Sequence, residues 1–368
     1  MLLQSGLLIR NPVCPVCPFH LEETCDGAEE AADILRFPNQ NRPDCTDIRR
    51  QLAYFRDLAR NRPEPVLDMP AIPDLPPFIP VLEGGLPAEL SLPVGQLYGI
   101  GLRTVLSKAG KVKPSSADQL RSSLRLPPDA RLCLVSSCDD RRIENFWRRW
   151  LELDSWRELA NLGFEFVTGM TFSVWSDNPR FTQRYNIDRN FSSFDYFAGL
   201  GVPVVPIFFC TRDADFRCVS RWLRDRASVI AIGGLAQFHK SENAFARFLE
   251  GLDRIRQEAG RELHLFAIGC ATQERISEVF HLFPAATIVT NKPIRKGASG
   301  HGFEDDLTSG GRPGAMRAEI IEQSLALFAK ICEGYRSGSK LLDLAVDSER
   351  CSDQMDLFPE RSSKLLGN

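Results

Sequence analysis

The 368-residue chain lacks most features that would assign it to a specialised class at once. No apolar run reaches the ~18 residues of a membrane span, so no membrane association is expected. The start, Met1–Ile9, is apolar but has neither a long h-region nor a cleavage-like site, which predicts a cytoplasmic protein without a signal peptide. An excess of one charge is also missing. Lys and Arg total 45 against 48 Asp and Glu, net −3, so any nucleic-acid surface must be a local patch. Histidine is scarce at five, and His239, His264, His281 and His301 stand in neither HxH nor HExxH spacing, which excludes a HExxH-type zinc hydrolase. Internal repeats are absent. With 43% hydrophobic and 25% charged residues, the chain is neither wholly disordered nor collagen-like. Its length suffices for a core that needs no disulfides.

Cysteine, in contrast, is abundant at 11, and Cys14, Cys17, Cys25 and Cys45 crowd the first 45 residues. An intracellular chain of this size is not expected to build a disulfide framework, so the clustering points to metal. Cys14-Pro-Val-Cys17 is a CxxC turn, which places two sulfurs on one ion. Cys25, Cys45 or His20 can complete four ligands. A zinc site and a [4Fe–4S] cluster both fit this spacing, and the alternative is unpaired cysteines in a flexible arm.

Three regions differ in texture. Residues 1–63 form the Cys-rich extension, with Ile48, Leu52, Phe55 and Leu58 at helical spacing. Residues 64–336 read as the main domain, entered through a proline-dense extended connector over 64–80. Residues 337–368 read as a polar tail with no core of its own. Within the main domain, apolar runs of four to eight residues recur at Pro77–Leu82, Gln96–Ile100, Leu132–Ser136, Phe164–Thr168, Val202–Phe209, Val229–Ile232, Leu263–Ile268 and Thr287–Thr290. Such runs suit strands buried on both faces, as in a parallel sheet. Helical spacers fit at Asn145–Leu162, Arg217–Arg226, Ser241–Ala259 and Gln273–Phe283. Eight strand-helix units predict a (β/α)8 TIM-like barrel. A doubly wound open sheet is the alternative, although no glycine-rich nucleotide fingerprint follows the first run.

A barrel places its active site at the C-terminal ends of the strands. The residues expected there are polar and mixed in charge. Asp139 and Asp140, with Asn291, are the candidate catalytic groups, because carboxylates serve as acid, base or nucleophile. Asp139 equally suits a helix N-cap. Arg184, Arg189, Arg212, Lys292 and Arg295 are candidate contacts to a phosphate-bearing ligand. Gly233 and Gly234 are candidates for close backbone approach to a base or phosphate.

Ile232-Gly233-Gly234-Leu235-Ala236, Leu263 to Gly269, and Thr290-Asn291-Lys292-Pro293-Ile294-Arg295-Lys296-Gly297 follow the order of a Gly-Gly-Leu turn, an apolar strand ending in Gly, and a final strand with a basic loop. Over roughly residues 229–300 this resembles the barrel of tRNA-guanine transglycosylases and their DNA-modifying 7-deazaguanine relatives. The resemblance implies glycosyl-transfer chemistry on a nucleobase. The chain departs from the family where its nucleophilic aspartate would lie, since Ile288, Val289, Thr290 and Asn291 stand there, and it lacks the family's C-terminal zinc cysteines. Glycosyl chemistry would then need Asp139 or Asp140 to carry more of it, or a different mechanism, and an inactive binding barrel is also compatible. A second segment, with Phe172 to Asp177, Asn186 to Arg189 and Gly201 to Pro206, resembles an uncharacterised domain family of phages, mobile elements and bacterial genomes that brings no established activity.

In the tail, Gln354-Met355-Asp356-Leu357-Phe358 resembles the peptide by which bacterial DNA polymerases and repair proteins bind the sliding clamp. Leu357 and Phe358 would anchor in an apolar pocket, and Gln354 would hydrogen-bond at its edge. Alternatively these two residues fold back onto the barrel. Together the signals predict a DNA-associated modification or repair protein, a base glycosylase or transglycosylase with DNA and the clamp as partners. A nuclease-type barrel and a non-catalytic DNA-binding accessory are the alternatives.

Two outcomes follow for the termini. Cys17→Ser should lower zinc or iron content, measured on anaerobically purified protein, because site formation and local folding are coupled; full stability of metal-free protein would count against the metal. A 350–368 peptide should bind purified sliding clamp in fluorescence anisotropy. Affinity that survives combined Ala substitution of Gln354, Leu357 and Phe358 would remove the clamp as a partner.

Overall fold

The computed structural model describes residues 63–84, 86–149, 154–175 and 180–338. Cys14, Cys17, Cys25 and Cys45, and Gln354 to Phe358, lie outside the described residues.

The apolar runs become eight parallel strands: β1 (Phe78–Leu82), β2 (Leu97–Gly101), β3 (Arg131–Val135), β4 (Phe166–Thr168), β5 (Val204–Val205), β6 (Ala231–Leu235), β7 (His264–Ile268) and β8 (Ala286–Thr290). Their order is β5-β4-β3-β2-β1-β8-β7-β6, with helices between them, so the chain is a (β/α)8 barrel. Closure between β5 and β6 is slight. It consists of one parallel bridge from Ile207 to Gly233, with the Gly233 N–H donating to Pro206 O at 2.7 Å. The cause lies in the sequence: Pro203 and Pro206 have no N–H to offer a ladder, so the expected eight-residue strand over Val202–Phe209 shrinks to two residues.

Alternation along each strand sorts side chains between two apolar layers. Ile79, Val81, Leu97, Cys133, Val135, Phe166, Val205, Ala231, Phe266, Ile268 and Val289 fill the barrel. Phe166 and Phe266 meet edge to face at 5.6 Å. Their strand neighbours, among them Leu82, Ile100, Leu134, Val167, Ile232, Leu265 and Ile288, point to the helices. The proline-dense segment does more than connect. Ile72 and Leu75 belong to the barrel interior and close its floor, where Arg336 Nη1 donates to Leu75 O at 2.9 Å. Thr287 Oγ1 donates to Pro76 O at 2.6 Å and accepts from His264 Nε2 at 2.8 Å. Burial, with Arg336 nearby, pushes His264 down to about 4, so this floor histidine is neutral at physiological pH.

The outer helices are α1 (Leu102–Val105), α2 (Ala117–Leu124), α3 (Asp140–Arg149), α4 (Ser155–Ala160), α5 (Arg180–Gly199), α6 (Asp213–Arg224), α7 (Glu242–Ala259), α8 (Gln273–Leu282), α9 (Lys292–Ala298) and α10 (Arg317–Arg336). The single helix expected over Asn145–Leu162 is two, α3 and α4. The basic segment after β8, expected as a loop, is α9, with Gly297 packed so closely on α10 that an added Cβ would lie 2.5 Å from Ile321 Cγ1. The largest departure is α5, twenty residues over which the sequence predicts no helix. From Thr182 to Asn190 and on through Asp195 nearly every residue is buried. Polar side chains on all sides of the helix erase the period of 3.6 that betrays a helix with a solvent face. Among the described residues no helix is long and apolar enough to cross a membrane.

Candidate functional site at the C-terminal face of the barrel

A cleft of about 910 Å³ opens at the C-terminal ends of β3 to β6 and runs outward over the weakly closed seam. Ser137 to Asp140 line it from β3, and Thr171 and Ser173 to Trp175 from β4. Phe208 to Thr211 follow β5, Leu235 ends β6, and Phe238 and His239 follow it. The outer wall is one face of α7: Ala244, Arg247, Phe248, Gly251, Leu252 and Ile255 recur three or four residues apart.

The segment after β4 is held in place by α5. Ser193 Oγ accepts from the Met170 N–H at 3.0 Å, and Asn190 both accepts from Phe172 N at 2.8 Å and donates to Phe172 O at 3.2 Å. Asn186 Nδ2 donates to Ser173 O at 2.6 Å, and Gln183 Nε2 to Trp175 O at 2.9 Å. Positions 183, 186, 190 and 193 share a stripe of the helix, so one buried face satisfies an extended strip of backbone. Sequence reasoning missed this device, whose only trace is the Gln, Asn, Asn, Ser spacing itself.

The two candidate carboxylates have different duties. Asp139 caps α3: its Oδ1 accepts from the Arg142 N–H at 3.2 Å and its Oδ2 lies 3.3 Å from Arg142 Nε. Asp140, exposed in the first turn of α3, accepts from Ser173 Oγ at 2.6 Å, a short bond to a charged acceptor. Thiolate chemistry is disfavoured. Burial, reinforced by Asp139, pushes Cys138 up to about 12, and burial with Asp215 holds Cys210 well above the usual thiol range. Burial and Arg275 also lower His239, which stacks on Phe248 at 4.4 Å and presents a neutral ring to the cleft.

The remaining predicted residues do not line the cleft. Arg189 is buried in α5, where Nη1 and Nη2 reach Glu144 at 2.9 and 2.7 Å and the guanidinium lies 3.9 Å over the Phe172 ring. Arg184 is buried in the same helix. Arg212 is exposed at the N-cap of α6, next to the lining residue Thr211. Asn291 is the N-cap of α9. Lys292 Nζ donates to Ala271 O at 2.7 Å and stands 5.5 Å over Phe303, while Arg295 is exposed on α9. Gly233 and Gly234 face side chains rather than a ligand. A Cβ on Gly233 would lie 2.6 Å from Ile207 Cγ1 inside the barrel, and one on Gly234 2.6 Å from the Phe248 ring outside it. These glycines let β5 and α7 close on β6. The aromatic lining of Phe208, Phe209, Phe216, Phe238 and Phe248 also escaped sequence reasoning. Its signal was the Phe208-Phe209 pair at a strand's C-terminal end and the apolar stripe of Ser241–Ala259.

Among the described residues no group of three or more His, Cys, Asp or Glu is arranged to hold a metal ion. No protein-family model matches the chain, and no curated protein matches it. Among solved structures the chain is similar to the crystal structure of mandelate oxidase with (S)-2-phenylpropionate, at 12% identity and a TM-score of 0.35, over 90% of this chain and 96% of that one. A likeness at that level says nothing about chemistry.

The Glu144–Arg189 pair has a calculable role in stability. Burial alone would raise the Glu144 carboxyl, but the Arg189 guanidinium outweighs it and holds Glu144 below the usual range. Its contribution is complete above the unfolded carboxylate value of about 4.3 and is lost as pH falls through the depressed folded value. Glu144→Gln should therefore destabilise the protein by roughly 2–3 kcal/mol at pH 7, less than a fully buried pair because Glu144 is partly exposed, and the gap should close below about pH 4. Urea unfolding at both pH values checks this; equal stability at pH 7 would show that the pair does not hold α5 to α3.

Proposed function

We propose that the protein is a DNA-associated modification or repair enzyme, a base glycosylase or transglycosylase that takes a nucleobase into the cleft at the C-terminal face of its barrel. The observation that carries this reading is the Asp140–Ser173 pair at an aromatic-walled cleft whose volume lies within the usual range of ligand sites. Phenylalanine rings offer stacking faces to a flat heterocycle. The Asp140 carboxylate can accept from its N–H groups, or can stabilise positive charge developing at the sugar's anomeric carbon as the bond to the base lengthens. Ser173 orients that carboxylate, and neutral His239 can accept a proton. The Gln354 to Phe358 segment, as a clamp-binding peptide, would bring the barrel to replicating DNA, and the N-terminal cysteines would hold zinc or a [4Fe–4S] cluster. One observation favours a second reading, a non-catalytic DNA-binding accessory: with Asp139 committed to the α3 cap, a single carboxylate is left for chemistry.

The test is release of free base from oligonucleotides, followed by mass spectrometry with full-length protein. Asp140→Asn should lower the rate roughly 10²–10⁴-fold while leaving oligonucleotide affinity within a factor of two, and Ser173→Ala should lower it less. Base release that is undiminished in Asp140→Asn removes Asp140 from the chemistry. No release by the wild-type protein, with DNA binding intact, leaves the accessory reading.

A further inference from the structure

We infer that the surface beside the cleft, built by the turn between β2 and α2 and by the first turn of α3, is a track for the phosphodiester backbone of a nucleic-acid strand. The inference rests on the reading of the cleft as a nucleobase site and names how the rest of the strand is held. From Leu90 to Ala117 the chain has no acidic residue, yet it carries Arg103, Lys108, Lys111 and Lys113. An antiparallel bridge between Leu106 and Val112 folds this stretch back on itself. The Ser107 N–H donates to Lys111 O at 2.8 Å, and Lys111 N–H to Ser107 Oγ at 3.0 Å. Gly110, at φ +75°, lets the turn lie against the α3 backbone, since a Cβ there would be 2.3 Å from Phe146 N. Asn145 Nδ2 secures it with a 2.9 Å bond to Lys108 O. The cations are thus mounted on a rigid support rather than a waving loop.

On this support Arg142 is paired with Asp139, and Asp140 is a second exposed carboxylate, so the excess positive charge comes from the 103–113 turn. Arg142 Nη1 and Lys113 Nζ both donate to Arg103 O, at 2.9 and 3.2 Å, which brings two positive groups to one carbonyl. Burial, and then Arg142, hold Lys113 below the usual lysine range, in keeping with that crowding. Capping of the short α1 accounts for Arg142 and Lys113, but not for the exposed Lys108, Lys111 and Arg141, which have no carboxylate within 4 Å among the described residues. Among the described residues Arg103 reaches one carboxylate, Glu83, at 3.9 Å. The carboxylate facing Arg142 is Asp139, which lines the cleft, and the Arg103 and Arg142 charges act on the cleft thiol of Cys138, so the two features adjoin. The large apolar groups exposed near the cleft are Trp175 and Phe238, which line it; the basic turn has none of its own to insert into a lipid surface. A chain of phosphates along the cations, with a base turned into the aromatic cleft, matches this division.

The test uses full-length protein and a fluorescent single-stranded 20-mer DNA, with anisotropy titrated from 50 to 300 mM salt. Lys108→Ala, Lys111→Ala and Arg141→Ala combined should make the slope of log K against log salt shallower by about 2 and weaken binding on the order of 100-fold at 0.1 M salt. A control with the same charge change on other faces, Arg224→Ala, Arg317→Ala and Lys330→Ala, should match wild type. Base release by the triple variant at saturating DNA should match wild type, which separates the track from the chemistry. Binding through the track without base release upholds this inference and sinks the glycosylase. An unchanged slope in the triple variant, an equal loss in the control, or no wild-type DNA binding overturns the track. Tighter binding to phosphatidylserine vesicles than to DNA, lost in the same variant, overturns it as well.

Discussion

The C-terminal face of this barrel depends on one set of hydrogen bonds, those from the polar stripe of α5 to the backbone of residues 170–175. A helix with Asn, Gln, Ser, Asp and Arg on every side is an expensive thing to bury, because each unsatisfied group would cost on the order of 1–3 kcal/mol. Here the strip after β4 supplies partners for four of them. In return the strip gains a fixed course, so Thr171, Ser173 and Trp175 reach the cleft as rigid projections. The α3 helix is tied to the same assembly through Glu144 and Arg189, which places Asp140 opposite Ser173.

A second constraint locates the cleft. Two prolines truncate β5, and two glycines in β6 admit Ile207 from one side and Phe248 from the other. The barrel closes there by a single bridge, and the cleft runs outward over that seam along one face of α7. Cleft and seam have a common origin: where the ladder is thinnest, side chains rather than backbone line the wall.

The electrostatics of the face are divided. Thiols are held protonated, one histidine is held neutral, and Asp140 stays within reach of solvent and of a hydroxyl donor. Positive charge gathers on the adjoining 103–113 turn, where among the described residues no carboxylate lies within 4 Å of Lys108 or Lys111. The net charge of −3 conceals this asymmetry because acidic residues are spread over the rest of the chain.

The barrel was legible in the sequence by itself. Eight apolar runs mark eight strands, because a strand buried on both faces must be apolar throughout, and the boundaries fall within a few residues of those observed everywhere except β5. Asp139 and Asp140 were legible as rim residues for the same reason, since they directly follow a strand. What only the tertiary structure decided was which polar residues face a ligand and which face protein. Arg184, Arg189, Gly233 and Gly234 have the composition of a binding site, but their surroundings bury them among helices and strands. A buried polar helix carries no apolar period, so α5 could not be recognised until its partners were in place. The aromatic walls of the cleft come from three separate loops and two helices. Their convergence is a property of barrel closure, which no local stretch of sequence encodes.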